Sequence, residues 1–184
     1  MAAAAVALAG LLGACASPTN KVSRLSMGGP SHLEAYLPAN WSWEPTMAPG
    51  PRMTLLRLFA RNPETTQMRI IPRPDLRVPV AVNAAQAREL ALRDLAVSKD
   101  CEGLGTAIQE RRLSHGFAYY CSQPLQASSA TAVGASSLLP TSAGVLVFQG
   151  LVLRFAILGV TSEENSAAWS IIQGMQVSTV VPTP

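Results

Sequence analysis

Charge is scarce in this sequence. Asp, Glu, Lys and Arg make up only 14% of its 184 residues, against 48% hydrophobic ones. That balance excludes an intrinsically disordered chain, which stays unfolded by combining high charge with low hydrophobicity. Basic runs are absent too. The 14 basic residues exceed the 11 acidic ones by a formal +3, but they are dispersed along the chain. Without a positive cluster there is no electrostatic footprint for a phosphate backbone, so nucleic acid is not an expected partner. Nor is there an apolar run of the roughly 20 residues that span a bilayer. The longest later stretch, Gly144 to Val160, is interrupted by Gln149, Gly150 and Arg154 and reads as a pair of buried strands. The length suits one domain with a hydrophobic core of its own.

Recognisable catalytic and metal motifs are missing as well. His32 and His115 have no neighbouring ligands at metal-binding spacing, apart from a distant His115–Cys121 pair, so no metal and no cofactor is expected. Ser114 and His115 are adjacent, but neighbours alone do not make a nucleophile and base, and no G-x-S-x-G elbow occurs. Gly103-Leu104-Gly105 lacks the third glycine and the strand-to-helix setting of a dinucleotide loop. Glu163 and Glu164 fall in the first turn of a predicted helix, where carboxylates complement the positive dipole end.

What is present begins at the N-terminus. Ala2 to Leu12 are uniformly small or apolar, the h-region of an export signal and too short to cross a membrane. The run ends in Leu12-Gly13-Ala14-Cys15, which resembles the lipobox of bacterial lipoproteins: a large aliphatic residue, two small ones and a cysteine whose thiol can be acylated. The resemblance implies a signal peptide over 1–14, lipid on Cys15 and attachment to a membrane of the cell envelope. An ordinary signal peptide with an incidental Cys15 is the alternative. Ala16 follows the cysteine and no retaining aspartate is present, so in a Gram-negative cell the lipoprotein rule implies the outer membrane. Residues 15–35, polar and containing Pro18, Asn20, Gly28, Gly29 and Pro30, are expected to form a flexible tether. In an oxidising compartment the remaining cysteines, Cys101 and Cys121, pair most naturally as a disulfide; two buried thiols or a metal pair are the rivals.

The folded part is placed at 36–180. Strands are expected at Met53–Phe59, Met68–Ile71, Ile108–Leu113 and Phe117–Cys121, with a helix from an Asn83 cap to about Lys99. That helix would bury Ala87, Leu90, Ala91 and Leu95. Ser122 to Ala143, rich in Ser and Ala, is read as a long mobile loop. Val145–Phe148 and Leu151–Leu158 form a hairpin about Gln149-Gly150. A capping box of Thr161 and Glu164 opens a last helix to about Gln176, which docks through Trp169, Ile172 and Met175. Tyr119 and Tyr120 alternate across a strand, so one is expected to face the core and the other a partner.

The Leu-Pro-Ala-Asn-Trp opening at Leu37–Trp41, with early strands, a central helix, antiparallel strands and a closing helix, resembles the PsbP-like superfamily. The resemblance spans about Tyr36 to Val180 and implies an α+β fold, an antiparallel sheet sandwiched by helices. It carries over no catalytic residue. Two constellations remain as possible ligand or partner contacts. Arg69, Arg73 and Arg77 share a face if Met68–Val78 is extended, and are either an anion site or solvated arginines. Trp41 and Trp43 likewise share a face, lining a cleft or filling the core. The leading expectation is a non-catalytic, lipid-anchored envelope module that binds or scaffolds another envelope protein. A small-molecule- or lipid-binding envelope protein is the alternative, and an enzyme without a sequence signature comes third.

Overall fold

A computed structural model describes residues 21–26, 31–47, 54–60, 66–73, 75–76, 78, 82–98, 101–102, 104, 107–123, 140–148, 150–159 and 162–179. The lipobox with Cys15, and Arg77, lie outside them. Along these residues the chain forms β1 (Lys21–Ser26), β2 (Ser31–Leu37), β3 (Trp41–Met47), β4 (Thr54–Ala60), β5 (Thr66–Pro72) and α1 (Ala84–Ser98). It continues through β6 (Gln109–Arg112), β7 (Gly116–Ser122), β8 (Pro140–Phe148), β9 (Leu151–Gly159), α2 (Ser162–Gly174) and β10 (Gln176–Thr179). A seven-stranded sheet has the order β3-β4-β5-β9-β8-β7-β6, and a three-stranded sheet the order β1-β2-β10. Every pairing is antiparallel. The fold is α+β, as the sequence indicates.

A helix packs on each face of the large sheet, which explains why its central strands β8 and β9 are largely apolar. On one face Leu153, Phe155 and Ile157 of β9 and Met68 and Ile70 of β5 receive Trp169, Ile171 and Ile172 of α2. On the other, Val145 and Val147 of β8, Val152 of β9 and Tyr119 of β7 receive Ala87, Ala91 and Leu95 of α1. Residues alternate between these two clusters along each strand, the period-two signature of a pleated sheet. Tyr119 and Tyr120 are therefore both buried, correcting the expectation that one would be open to a partner. The alternation was right, but each tyrosine meets a helix on its own side.

The segment read as a tether is corrected in part. Lys21–Ser26 and Ser31–Leu37 are strands, and Leu33, Ala35 and Leu37 of β2 point into the same core as α2. The small sheet is stitched by Glu34 of β2, which accepts hydrogen bonds from Arg24 Nε (2.9 Å), Gln176 Nε2 (2.9 Å) and Ser178 Oγ (3.2 Å). Those bonds, led by that of Gln176, hold the Glu34 carboxyl below its ordinary range. The last helix stops at Gly174, two residues short of the expected end, because Gln176–Thr179 leaves as β10 to pair with β2.

Local signals elsewhere act as the sequence suggests. Asn83 caps α1: its Oδ1 accepts from the Gln86 amide (2.9 Å) and the Gln86 side chain accepts from the Asn83 amide (3.3 Å). Gly150 turns the β8–β9 hairpin with φ +72°, a conformation that suits glycine. Gly144 is required by space, since a Cβ there would lie 2.2 Å from the Tyr119 carbonyl oxygen across the β7–β8 pair. The Ser122–Ala143 loop is shorter than expected: Ser122 ends β7 and β8 already begins at Pro140, while 124–139 lie outside the described residues. Thr161 of the expected capping box also lies outside them. Cys101 and Cys121 are joined as a disulfide (Cα–Cα 5.6 Å), tying the segment after α1 to β7. Among the described residues no helix is long and apolar enough to cross a membrane.

Candidate functional site

Neither helix spans the full width of the large sheet. α2 packs over β5 and β9 on one face, and α1 over β7 and β8 on the other. The β6–β7 end of the first face therefore projects beyond α2 and leaves a cleft of about 660 Å³ between helix and sheet. This volume lies within the range of ordinary small-ligand sites, about 300–1,000 Å³.

Strand and helix periods place the lining. Gln109 and Arg111 are two apart on β6, and Tyr120 and Ser122 two apart on β7, so all four point to the cleft face; Ser142 of β8 joins them opposite Ser122. From α2, Asn165, Trp169 and Gln173 follow at four-residue spacing, with Ser166 and Ser170 beside them. This stripe borders the apolar one of Ala168, Ile171 and Ile172, which holds the helix to the core.

The floor is aromatic. Trp169 lies with its ring centroid 4.5 Å from that of Tyr120 and 5.5 Å, nearly edge-on, from that of Phe155. Over it the Arg111 guanidinium sits 4.5 Å from the Trp169 ring centre and 6.0 Å from that of Tyr120, a cation–π arrangement. Among the described residues Arg111 is the one charged side chain in the lining, and it forms no ion pair with any of them. Four serines, three glutamines and an asparagine supply the remaining polar groups. Some are already engaged: Gln109 Nε2 donates to Ser122 Oγ (2.8 Å), and Asn165 Oδ1 lies 3.2 Å from the Thr141 hydroxyl.

The residues singled out from the sequence are placed elsewhere. Trp41 is buried in the core with Trp43 packed against that cluster, so both are structural. Arg69 is exposed on β5, on the face away from α2 and opposite Arg57 in register. Arg73 does meet anions, but they are the chain's own. Its Nε and Nη2 donate to Asp75 Oδ1 and Oδ2 (2.9 and 2.7 Å), and its Nη1 bonds to Asp94 of α1. Arg154 of β9 grips the same Asp94 bidentately, Nε to Oδ2 at 2.6 Å and Nη2 to Oδ1 at 2.8 Å. Hydrogen bonding from Arg73 holds the Asp75 carboxyl below the usual carboxylate range, against the opposing effect of burial. Arg73 is held above its ordinary value by the same contact. Arg69 and Arg73 do not assemble with the two tryptophans, and Arg73 closes a helix-to-sheet ion network instead.

His115 sits on the exposed β6–β7 turn, beside a smaller recess of about 360 Å³ that Arg112 and Gln176 also line. Among the described residues no three His, Cys, Asp or Glu side chains are grouped to hold a metal ion. The cleft was missed in the sequence because none of its lining residues forms a motif. One signal was available. The outward stripe of α2 carries serines and amides where the exposed side of α1 carries Arg88, Glu89 and Arg93. A helix face turned to bulk water is usually charged, so an uncharged polar one marks contact with something else. Comparisons with protein-family models, with curated proteins and with solved structures found no match.

Proposed function

We propose that this chain is a non-catalytic binding domain, exported and held at an envelope membrane by lipid on Cys15, which takes a polar ligand in the α2–β7 cleft. The observation that carries the reading is the cleft's chemistry: among the described residues, eight neutral side chains that can donate or accept hydrogen bonds, and one cation with no ion pair there. Among the described residues no histidine, cysteine or carboxylate lines it, so none of them is an evident agent of general acid–base chemistry there. The lipobox at Leu12–Cys15 supports the anchor, and Ala16 the outer membrane in a Gram-negative cell. The domain is taken as PsbP-like on the Leu37–Trp41 motif and the order of its elements.

The test reads the cleft directly. The chain has three tryptophans, two of which lie on β3, so the indole N–H signal of Trp169 can be assigned by Trp169→Phe. A panel of sugars, sugar acids, amino acids and nucleosides is titrated while that signal is followed by NMR. A saturable shift of Trp169, with those of Trp41 and Trp43 unmoved, is the expected result; no shift across the panel sinks the reading.

The second reading is an anchored adaptor for another envelope protein. It is favoured by β6, the last strand of the large sheet, whose outer edge is unpaired among the described residues. Co-purification from native membranes, beside a Cys15→Ala control, tests it: a stoichiometric protein lost in the control supports the adaptor.

A further inference from the structure

Resting on the cleft-binding reading, we propose that the ligand is a sugar acid: a carboxylate for Arg111, flanked by hydroxyls for the serines and amides. Three observations carry this. First, the floor is unavailable as a sugar-stacking platform. Trp169 and Tyr120 are 9% and 7% exposed, and the guanidinium covers Trp169 at 4.5 Å. A neutral sugar normally held by its CH face against an open ring finds no such ring here. Binding must therefore come from the edges, through hydrogen bonds and charge.

Second, the Arg111 guanidinium lies over the Trp169 ring and makes no ion pair among the described residues, and a guanidinium presents a planar fork of N–H donors. That fork matches a planar carboxylate with two parallel hydrogen bonds. Among the described residues no acidic side chain lines the cleft to compete for it. A single positive charge also suits a monoanion better than a phosphate dianion, which usually draws several cations or a helix N-terminus.

Third, the neutral groups lie on both walls, on β6–β8 and on α2. Hydroxyls and amides both donate and accept, as ligand hydroxyls do. The acyl chain of a fatty acid would offer these side chains no hydrogen bonds in place of the water it displaces, and a polar group removed from water without a partner costs free energy.

The same chemistry is offered by a free sugar acid and by a uronate unit within a polysaccharide. Calorimetric titration of the full chain with glucuronate, glucose, a uronate tetrasaccharide and a neutral tetrasaccharide separates them. Glucuronate is expected to bind roughly tenfold tighter than glucose, the worth of one charged hydrogen-bonding group. That preference should disappear in Arg111→Gln, whose far-ultraviolet circular dichroism and melting temperature should match the parent because the position is exposed. It should also shrink when salt is raised from about 0.05 to about 0.5 M. Tighter binding of the uronate tetrasaccharide than of glucuronate assigns the polymer, and equal binding the free acid; either supports the inference. Equal binding of glucose and glucuronate, or an undiminished preference in Arg111→Gln, overturns it while leaving the cleft as a binding site. Failure of every sugar and of the wider panel to move Trp169 overturns both.

Discussion

The two helices cover opposite faces of one sheet by different means. α2 presents large side chains, Trp169, Ile171 and Ile172, and no charged residue of α2 enters its core cluster. α1 presents Ala87, Ala91 and Leu95, which bring the helix close but remove little apolar surface from water. Its face is supplemented by polar and covalent ties. Asp94 is 4% exposed and gripped by Arg73 and Arg154, the Tyr119 hydroxyl donates to the Ala84 carbonyl (3.0 Å), and the Cys101–Cys121 disulfide fastens the segment that follows. An alanine-rich interface thus derives its strength from directional contacts, where a bulky one derives it from area. The first should respond to pH and redox state, and the second only to volume.

The largest effect is expected on the bulky face. Ile172→Ala should cost about 4 kcal/mol by leaving a cavity against the sheet, read from the urea midpoint and unchanged between pH 5 and pH 8 within about 0.5 kcal/mol. On the α1 face Asp94→Ala should cost about 3 kcal/mol, since two arginines that are 16% and 22% exposed lose their shared carboxylate. Asp94→Leu combined with Arg154→Met should recover at least part of that loss; a double variant as unstable as the sum of the single ones would show that the charges are not coupled. Acid weakens the same network. The Asp75 carboxyl sits below its unfolded value, so its contribution is present above that value and disappears as pH falls through the folded one.

Removing the disulfide, as Cys101→Ser with Cys121→Ser, should cost about 3 kcal/mol for a loop of this length. Its sequence separation is 20 residues. Urea unfolding with and without reductant measures the effect, and equal midpoints would remove the disulfide from the account. Next comes alkaline pH. Burial, reinforced by the negative charge of Glu110, pushes the Tyr119 hydroxyl up to about 12. The neutral form is then favoured by folding. The associated stability is intact below the unfolded value of about 10 and is lost as pH rises towards the folded one, by about 2 kcal/mol in all. Tyr119→Phe should flatten that part of the pH profile. The smallest effect is at the cap, where Asn83→Ala should cost about 1 kcal/mol by thermal melting.

How much of this could be read in advance depended on how local the cause was. The start of α1 follows from one side chain, Asn83, and the β8–β9 hairpin from one glycine, so both were legible. β1 and β2 were not. The inward positions of β1 include Ser23, so an edge strand that buries little looked like linker. The second partner of β2, β10, arrives from far along the chain, which no local window contains. Arg73 was visible as a candidate, but its partner Asp94 is 21 residues away on a helix, and only the packing of α1 shows that the charge is already satisfied. The cleft depends on where α2 stops across the sheet, which is a property of packing and not of any motif.

The small sheet sets an order of events during synthesis. β2 is made early, but one of its two neighbours, β10, comes last: Glu34 and Gln176 are 142 residues apart. β2 therefore cannot complete its sheet until the chain is available through Thr179, wherever the domain folds. Until then Leu33, Ala35 and Leu37 have no α2 to pack against. Completion of the small sheet therefore reports that the whole domain has been made, and a chain released early would carry an exposed apolar strand for quality control to bind.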